Sequence, residues 1–143
     1  MSGLCAAAAL QLPVRLRGIE LGRPVDLVLE TGGWQVLGFV VRCRDKSRRF
    51  LPYPAAHLAD DEIAVRSALL LLEEVGFYQS RGVSYRSLLG GEVERGGRAA
   101  GSLRDIVVGG RGAVTELVLE HRGELRRVPT AGSTVVPTRA SAA

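Results

Sequence analysis

Residues 94–110 read ERGGRAAGSLRDIVVGG and place five glycines around a short apolar run. A phosphate-binding loop would need the spacing G-x-G-x-x-G followed by a helix. That spacing fails at Arg98 when it is counted from Gly96, and at Thr115 when it is counted from Gly110. The following residues, RGAVTELVLEH, are rich in β-branched side chains, which favours a strand. The stretch therefore predicts turns between strands.

The same stretch belongs to an internal repeat. At an offset of 79 residues the identities are Val14, Gly18, Gly22, Asp26 and Val28 with Val93, Gly97, Gly101, Asp105 and Val107. The offset then falls to 78, pairing Val36, Val40 and Arg44 with Val114, Val118 and Arg122, and to 77, pairing Arg49 and Pro52 with Arg126 and Pro129. If Gly32-Gly33 were aligned with Gly96-Gly97 instead, one copy would lack a strand of the hairpin that the other copy has. The chain is a tandem repeat.

Each copy reads as a meander of three strands. Copy one supplies RPVDLVLE, WQVLGFVVRC and RRFLP, and copy two supplies SLRDIVV, AVTELVLEH and LRRVP. Glycines in the first turn are expected to supply positive φ, and the closing proline ends the strand pairing. The run VLGFVV is apolar on both faces, which predicts a covering layer over copy one, with copy two as the candidate.

These elements predict a mainly β fold with a short helix in the connection. The predicted organisation is a disordered leader at 1–9, a first repeat at 10–72, a helical connector at 73–82, a second repeat at 83–137 and a disordered tail at 138–143. Within the connection, a closing strand is predicted from Ile63 to about Leu70, a helix over 71–79 and a turn at SYRSLLG. A lone core of about 60 residues is marginal, so the copies are expected to pack together about a pseudo-twofold axis.

Composition excludes several classes of protein. The 143 residues are 46% apolar and 24% charged, as in globular proteins, and the net charge is +4. The uncharged N-terminal stretch lacks a basic region and is too short to span a bilayer, so a cytoplasmic location is expected. The two cysteines, Cys5 and Cys43, do not form a metal-binding or disulfide pattern.

The repeated frame resembles the PRC-barrel family. It consists of a glycine ahead of an Asp-bearing strand (LGRPVDLVLE; AGSLRDIVV), a glycine turn, a long apolar strand, and a basic strand ending in FLP or VP. The resemblance implies two tandem small PRC-type β-barrels packed together, like those of the photosynthetic reaction centre H subunit and the ribosome maturation factor. Copy two departs from the pattern, because little chain follows Pro129 to close a barrel. The frame-defining residues are Gly22, Asp26, Pro52, Gly101, Asp105 and Pro129.

No constellation of side chains indicates catalysis, a cofactor or a metal. His57 and His121 stand alone in the sequence, and the carboxylates of residues 60–62 are typical of a solvated loop. Asp26 and Asp105 occupy equivalent positions, which favours a structural role as acceptors of backbone N–H bonds over a catalytic one. We therefore expect a protein that is not an enzyme.

One segment, RCRDKSRRF, gathers positive charge around a turn. The candidate interaction surface is Trp34, Arg42, Arg44, Lys46, Arg48, Arg49 and Tyr53. Such a surface would attract an acidic partner or phosphate, although charge also protects a strand edge from aggregation. Trp34 is either a lid on the core or an exposed anchor. PRC-barrels act as binding and assembly modules, so the resemblance implies a protein partner, with membrane association only peripheral and a homodimer left open. The alternative is an RNA-associated factor of the ribosome-maturation type.

Overall fold

The structure, a computed structural model, describes residues 3–136 and is mainly β. The strands are β1 (Leu4–Cys5), β2 (Val14–Leu16), β3 (Ile19–Glu30), β4 (Gln35–Cys43), β5 (Arg48–Pro52), β6 (His57–Leu58), β7 (Ile63–Ala64), β8 (Val83–Ser84), β9 (Glu92–Arg95), β10 (Arg98–Val108), β11 (Val114–His121), β12 (Glu124–Pro129) and β13 (Ser133–Val136). The α-helices are α1 (Ala6–Ala9), α2 (Val75–Gln79) and α3 (Tyr85–Leu88), and 3₁₀ turns lie at Tyr53–Ala55, Ala68–Leu70 and Gly110–Gly112. The predicted tail at 138–143 lies outside the described residues.

The two copies form two sheets. Copy one builds a seven-stranded sheet in the order β5-β4-β3-β2-β7-β6, with β8 added on β3. Copy two builds a six-stranded sheet in the order β12-β11-β10-β9-β13, with β1 added on β10. All neighbouring pairs in these orders are antiparallel except β2 and β7. Within residues 3–136 neither sheet closes into a barrel.

Strand pairing repeats at the offsets predicted from the sequence. Asp26 lies opposite Val40 in copy one, and Asp105 lies opposite Val118 in copy two. Each of these aspartates follows an irregularity in the register, between Pro24 and Asp26 and again at the same place in copy two. The third strand agrees as well, since Pro52 pairs with Gly38 as Pro129 pairs with Glu116. A match of Gly32-Gly33 to Gly96-Gly97 is therefore excluded.

The segment that leads into each copy packs on the other copy. β1 precedes copy one, yet Cys5 of β1 pairs with Val107 of β10. β8 precedes copy two, and Ser84 of β8 pairs with Val28 of β3. The two contacts involve equivalent residues, since an offset of 79 relates Cys5 to Ser84 and Val28 to Val107. The exchange between the copies is therefore reciprocal. Gln35 also pairs with Ala113, its own counterpart at an offset of 78, as a twofold relation between the copies would produce.

This exchange corrects two predictions made from local sequence. The predicted disordered leader contains β1 and α1, and Ala6 within it is fully buried. The predicted turn at SYRSLLG is instead the helix α3, whose first turn is capped by the Ser84 hydroxyl accepting from the Ser87 N–H at 3.3 Å. Both segments make strand and helix contacts with the opposite copy, and the neighbouring residues in the sequence do not indicate these contacts.

The connection between the copies also differs from the predicted strand and helix. The strand β7 ends at Ala64, and the helix α2 begins at Val75 rather than at Leu71. Between them, Leu72 runs extended and exchanges two backbone hydrogen bonds of 2.8 Å with Phe50 of β5. An unbroken run of leucines has neither helical nor strand periodicity, so only the tertiary contact decides its conformation.

The inner faces of both sheets share one core. That core contains Leu27, Leu29, Phe39, Val41 and Leu51 of copy one together with Leu103, Ile106, Leu117, Leu119 and Val128 of copy two. The outer face of copy one forms a second, small cluster of Val28, Val40 and Phe50. Val75 and Tyr78 of α2 cover it, with the Phe50 and Tyr78 rings stacked at 4.3 Å. The layer over the outer face is therefore α2, and copy two covers only the inner face.

A fragment of residues 83–143 is predicted to lack a cooperative thermal transition, because it loses β1, α1 and half of the shared core. Far-UV circular dichroism of the fragment and of the full chain measures this directly. A sharp melt of the isolated fragment would contradict the interdependence of the copies.

Candidate interaction surfaces

Asp26 and Asp105 each bind the leading helix of the opposite copy. The Asp26 Oδ1 accepts from the Leu27 N–H at 2.8 Å and from the Arg86 N–H of α3 at 3.1 Å, and the Ser84 hydroxyl donates to its Oδ2. The Asp105 Oδ1 accepts from the Ile106 N–H at 2.8 Å and from the Ala7 N–H of α1 at 3.2 Å. Both carboxylates are thus engaged by donors of the protein itself.

Copy two adds a buried tyrosine to this arrangement. The Tyr85 hydroxyl donates to the Asp105 Oδ1 at 2.8 Å, and the residue is only 2% exposed. Burial first, and then the hydrogen bond to Asp105 and the charge of that carboxylate, raise the pKa of Tyr85 far above its usual value. Tyr85 is therefore a donor at any physiological pH.

Gly22 and Gly101 let the strands approach at equivalent places. A side chain at Gly22 would collide with the Arg42 carbonyl, and a Cβ at Gly101 would lie 2.6 Å from the Glu120 carbonyl oxygen. Gly101 also adopts a φ of +146°, which disfavours other residues. Pro52 and Pro129 end β5 and β12, and the Pro129 carbonyl accepts from the Arg95 Nη1 at 2.7 Å.

The two thiols lie in surroundings that do not activate them. Burial is the largest cause that raises the pKa of Cys5, and the charge of Asp105 adds to it. Burial likewise raises the pKa of Cys43. A nucleophilic cysteine needs a lowered pKa, so neither thiol has the environment of a reactive one. Among residues 3–136, no three His, Cys, Asp or Glu side chains are grouped closely enough to hold a metal ion.

The basic segment forms the β4–β5 hairpin and its turn. The Asp45 Oδ1 accepts from the Ser47 N–H at 3.0 Å and from the Ser47 hydroxyl at 2.5 Å, and these bonds lower the pKa of Asp45. Lys46 follows Asp45 in the left-handed conformation, with a φ of 70°. The aspartate is thereby used to hold the turn, while Arg44 and Lys46 stay exposed.

Three arginines lie side by side on neighbouring strands. Arg42 of β4 is paired with Arg48 of β5 on one side and with Arg23 of β3 on the other. We call these three residues the arginine row. Opposed residues have Cβ atoms about 4.5–5.5 Å apart, and like charges at that spacing destabilise a sheet. Arg23 pairs with Glu20 at 3.6 Å, whereas Arg42 and Arg48 form no ion pair within residues 3–136.

The other members of the predicted surface lie away from this row. Trp34 and Tyr53 stand at the opposite end of the hairpin, separated from its turn by the nine residues of β4 and the five of β5. Both are half-buried against the shared core, and the Trp34 carbonyl accepts from the Val114 N–H at 2.8 Å. Trp34 is thus a lid between the copies. Trp34 also has a positive φ of 51°, whereas the sequence predicts positive φ for the glycines of this turn.

Arg49 points to the other side of the hairpin from the row, where its Nη1 lies 3.3 Å from the Glu73 Oε1. A groove beside the turn is lined by Arg44, Arg49, Leu21, Leu71, Ile19 and Leu69. The last two are exposed large apolar side chains, at 65% and 86%. Sequence reasoning missed Arg23, Ile19 and Leu69, because all three come to the turn through strand pairing and chain reversal.

No protein-family model matches the chain, and no curated protein matches it either. None of the helices within residues 3–136 is long and apolar enough to cross a lipid bilayer.

Above pH 10 the unfolding free energy is predicted to fall by up to about 1.4 kcal/mol per pH unit through Tyr85. Its pKa is raised in the folded protein, so the unfolded chain releases the proton first and is favoured as the pH rises. Urea unfolding between pH 8 and 11 measures the slope, and Tyr85→Phe should flatten it while lowering stability at neutral pH. Equal slopes for the two proteins would show that Tyr85 is not held as a buried donor.

Proposed function

We propose that this chain is a non-enzymatic tandem PRC-barrel module that binds a partner protein and assembles a complex, and that the arginine row and the adjoining turn bind the partner. The observation that carries the proposal is the uncompensated pairing of Arg42 with Arg48. A chain that holds like charges opposite each other loses stability, and an acidic segment of a partner would relieve that repulsion.

The surroundings of the turn support a protein partner over RNA. The exposed Ile19 and Leu69 lie in the groove that Arg44 borders, and apolar anchors beside charge are typical of protein interfaces. Binding of single-stranded RNA uses aromatic side chains on which bases stack. Of the two aromatic residues that follow the basic turn in sequence, Phe50 is buried under Tyr78 and Tyr53 packs against Phe39 at the far end of the hairpin, so neither offers a free ring on the arginine row.

The PRC-type fold is supported by the order of elements in each copy. Four strands per copy follow one another as antiparallel neighbours, β2 to β5 and β9 to β12, and an aspartate marks the same position of the second strand. An RNA-associated role of the ribosome-maturation type remains the second candidate, because the arginine row would also attract phosphate.

Reversing Arg44, Lys46 and Arg48 to glutamate should slow association with the partner by at least about tenfold, because steering charges act mainly on the association rate. The partner is first captured from the native host after RNase treatment and identified, and its association is then followed by surface plasmon resonance. As a control, a variant with Arg98, Arg111 and Arg122 changed to glutamate makes the same change in net charge, but on copy two. This control should bind the partner normally.

RNA is tested in parallel with a fluorescent single-stranded oligonucleotide. The proposal expects no saturable binding to it. Binding that weakens steeply with salt and disappears in the triple variant would favour the RNA-associated role. Unchanged partner affinity in the triple variant would show that the charges only protect the edge of the sheet.

A further inference from the structure

The strands β5 and β12 lie at equivalent edges of the two sheets, but among the described residues only β5 is paired with a further segment of the chain. Residues Leu71–Glu73 lie along the edge of β5 that faces away from β4, and we call these residues the strap. The Phe50 N–H donates to the Leu72 carbonyl and the Leu72 N–H donates to the Phe50 carbonyl, both at 2.8 Å. Copy one therefore shows how an extended segment adds to this edge.

Three features of the strap fix it on β5. The Leu71 side chain is buried in the shared core at 5% exposure, and the Leu72 backbone supplies the two hydrogen bonds. The carboxylate of Glu73 then meets the Nη1 of Arg49, the residue next to Phe50, at 3.3 Å. The strap thus combines apolar residues with an acid directly after them.

In copy two, Arg127 occupies the position of Phe50 and Arg126 occupies that of Arg49. The registers agree, since Val118 lies opposite Arg127 as Val40 lies opposite Phe50. Because both backbone groups of Phe50 bond to the strap, they point away from β4. The N–H and C=O groups of Arg127 therefore point away from β11, toward the outer edge of β12.

This edge has no strap among the residues that the structure describes. After Pro129 the chain turns and forms β13, which pairs with β9 at the other end of the sheet order. Residues 124–127 are all exposed, and Leu125 among them is 67% exposed. Arg126 has no ion pair within residues 3–136, although its counterpart Arg49 has one.

We propose that the outer edge of β12 binds an extended segment of a partner protein, in which apolar residues are followed by an acidic residue. The segment adds as an antiparallel strand and exchanges two backbone hydrogen bonds with Arg127. Its acidic side chain lies opposite Arg126, as Glu73 lies beside Arg49 in copy one. Leu125 offers the segment an apolar contact on the same edge. This site is separate from the arginine row and does not depend on it.

The strap itself provides the probe. A fluorescein-labelled peptide with the sequence of residues 68–75, ALLLLEEV, carried on a polar linker, is titrated with the full-length protein and followed by fluorescence polarisation. The edge of β5 is already occupied by the chain's own strap, so β12 is the equivalent edge open to the peptide. We expect saturable binding that slows hydrogen exchange of the Arg127 amide.

Two peptide variants separate backbone pairing from charge. N-methylation at the position of Leu72 removes the N–H that donates to the edge and should weaken binding at least about tenfold. Replacing the acid at the position of Glu73 by lysine should weaken binding about fivefold or more, since it sets like charges together.

Two protein variants place the peptide on β12. Arg126→Glu should weaken binding of the parent peptide and restore binding of the lysine peptide. Arg127→Pro removes an N–H that is not used by β11, which an edge strand tolerates, and should abolish binding while the thermal melt is retained. Arg98→Glu, which makes the same charge change at the first residue of β10, serves as the matched control and should bind as the wild type does.

Absence of saturable binding, or binding that survives both Arg126→Glu and Arg127→Pro, would overturn the proposal. In that case the charges and Pro129 only keep the edge unpaired, as protected edge strands do. A protein dimer that Arg127→Pro dissociates would place a second copy of the chain on this edge, and would contradict a partner peptide.

Discussion

The structure depends on two carboxylates that each hold the first helix of the opposite copy. Asp26 accepts from the Arg86 N–H of α3, and Asp105 accepts from the Ala7 N–H of α1. An N–H group at the start of a helix has no partner within the helix, so an acceptor supplied from another element satisfies that donor and fixes the helix to that element. Because such a bond runs in both directions between the copies, each leading segment is held in part by the opposite copy.

The outer faces of the sheets diverge because the chain after each copy differs. After β5 the chain places the strap on the edge of that strand and α2 over Phe50, and the outer face around Phe50 is apolar. In copy two the same position is Arg127, which is exposed and lies 3.6 Å from Glu116. The residue at this position is therefore apolar where α2 covers it and charged where it is exposed. The arginine row and the edge of β12 are two places among the described residues where polar groups lack such a cover.

The sequence predicted the repeat and its register, because Gly22 and Gly101 mark close backbone contacts and Asp26 and Asp105 mark the bound helices. The exchange of leading segments was missed, because LCAAAA and VSYRSL share no residues at matching positions. One signal was present, since the offset of 79 also joins Leu10 to Leu89. The arginine row was also not predicted, because Arg23 is 19 residues from Arg42 in the sequence and only strand pairing brings the two together. The predicted surface also joined Trp34 and Tyr53 to the turn, although β4 and β5 hold them at its opposite end.

The most direct test of the exchange uses the native thiol of Cys5. The paired residue is Val107, whose side chain lies on the same face of the sheet because the two residues are directly opposite. In a Cys43→Ser background, Val107→Cys should form an intramolecular disulfide with Cys5 in the full-length protein under mild oxidation, detected by peptide mapping with mass spectrometry. Two free thiols after oxidation of the folded protein would contradict the placement of β1 on β10. Disulfide-linked dimers alone would contradict an exchange within one chain.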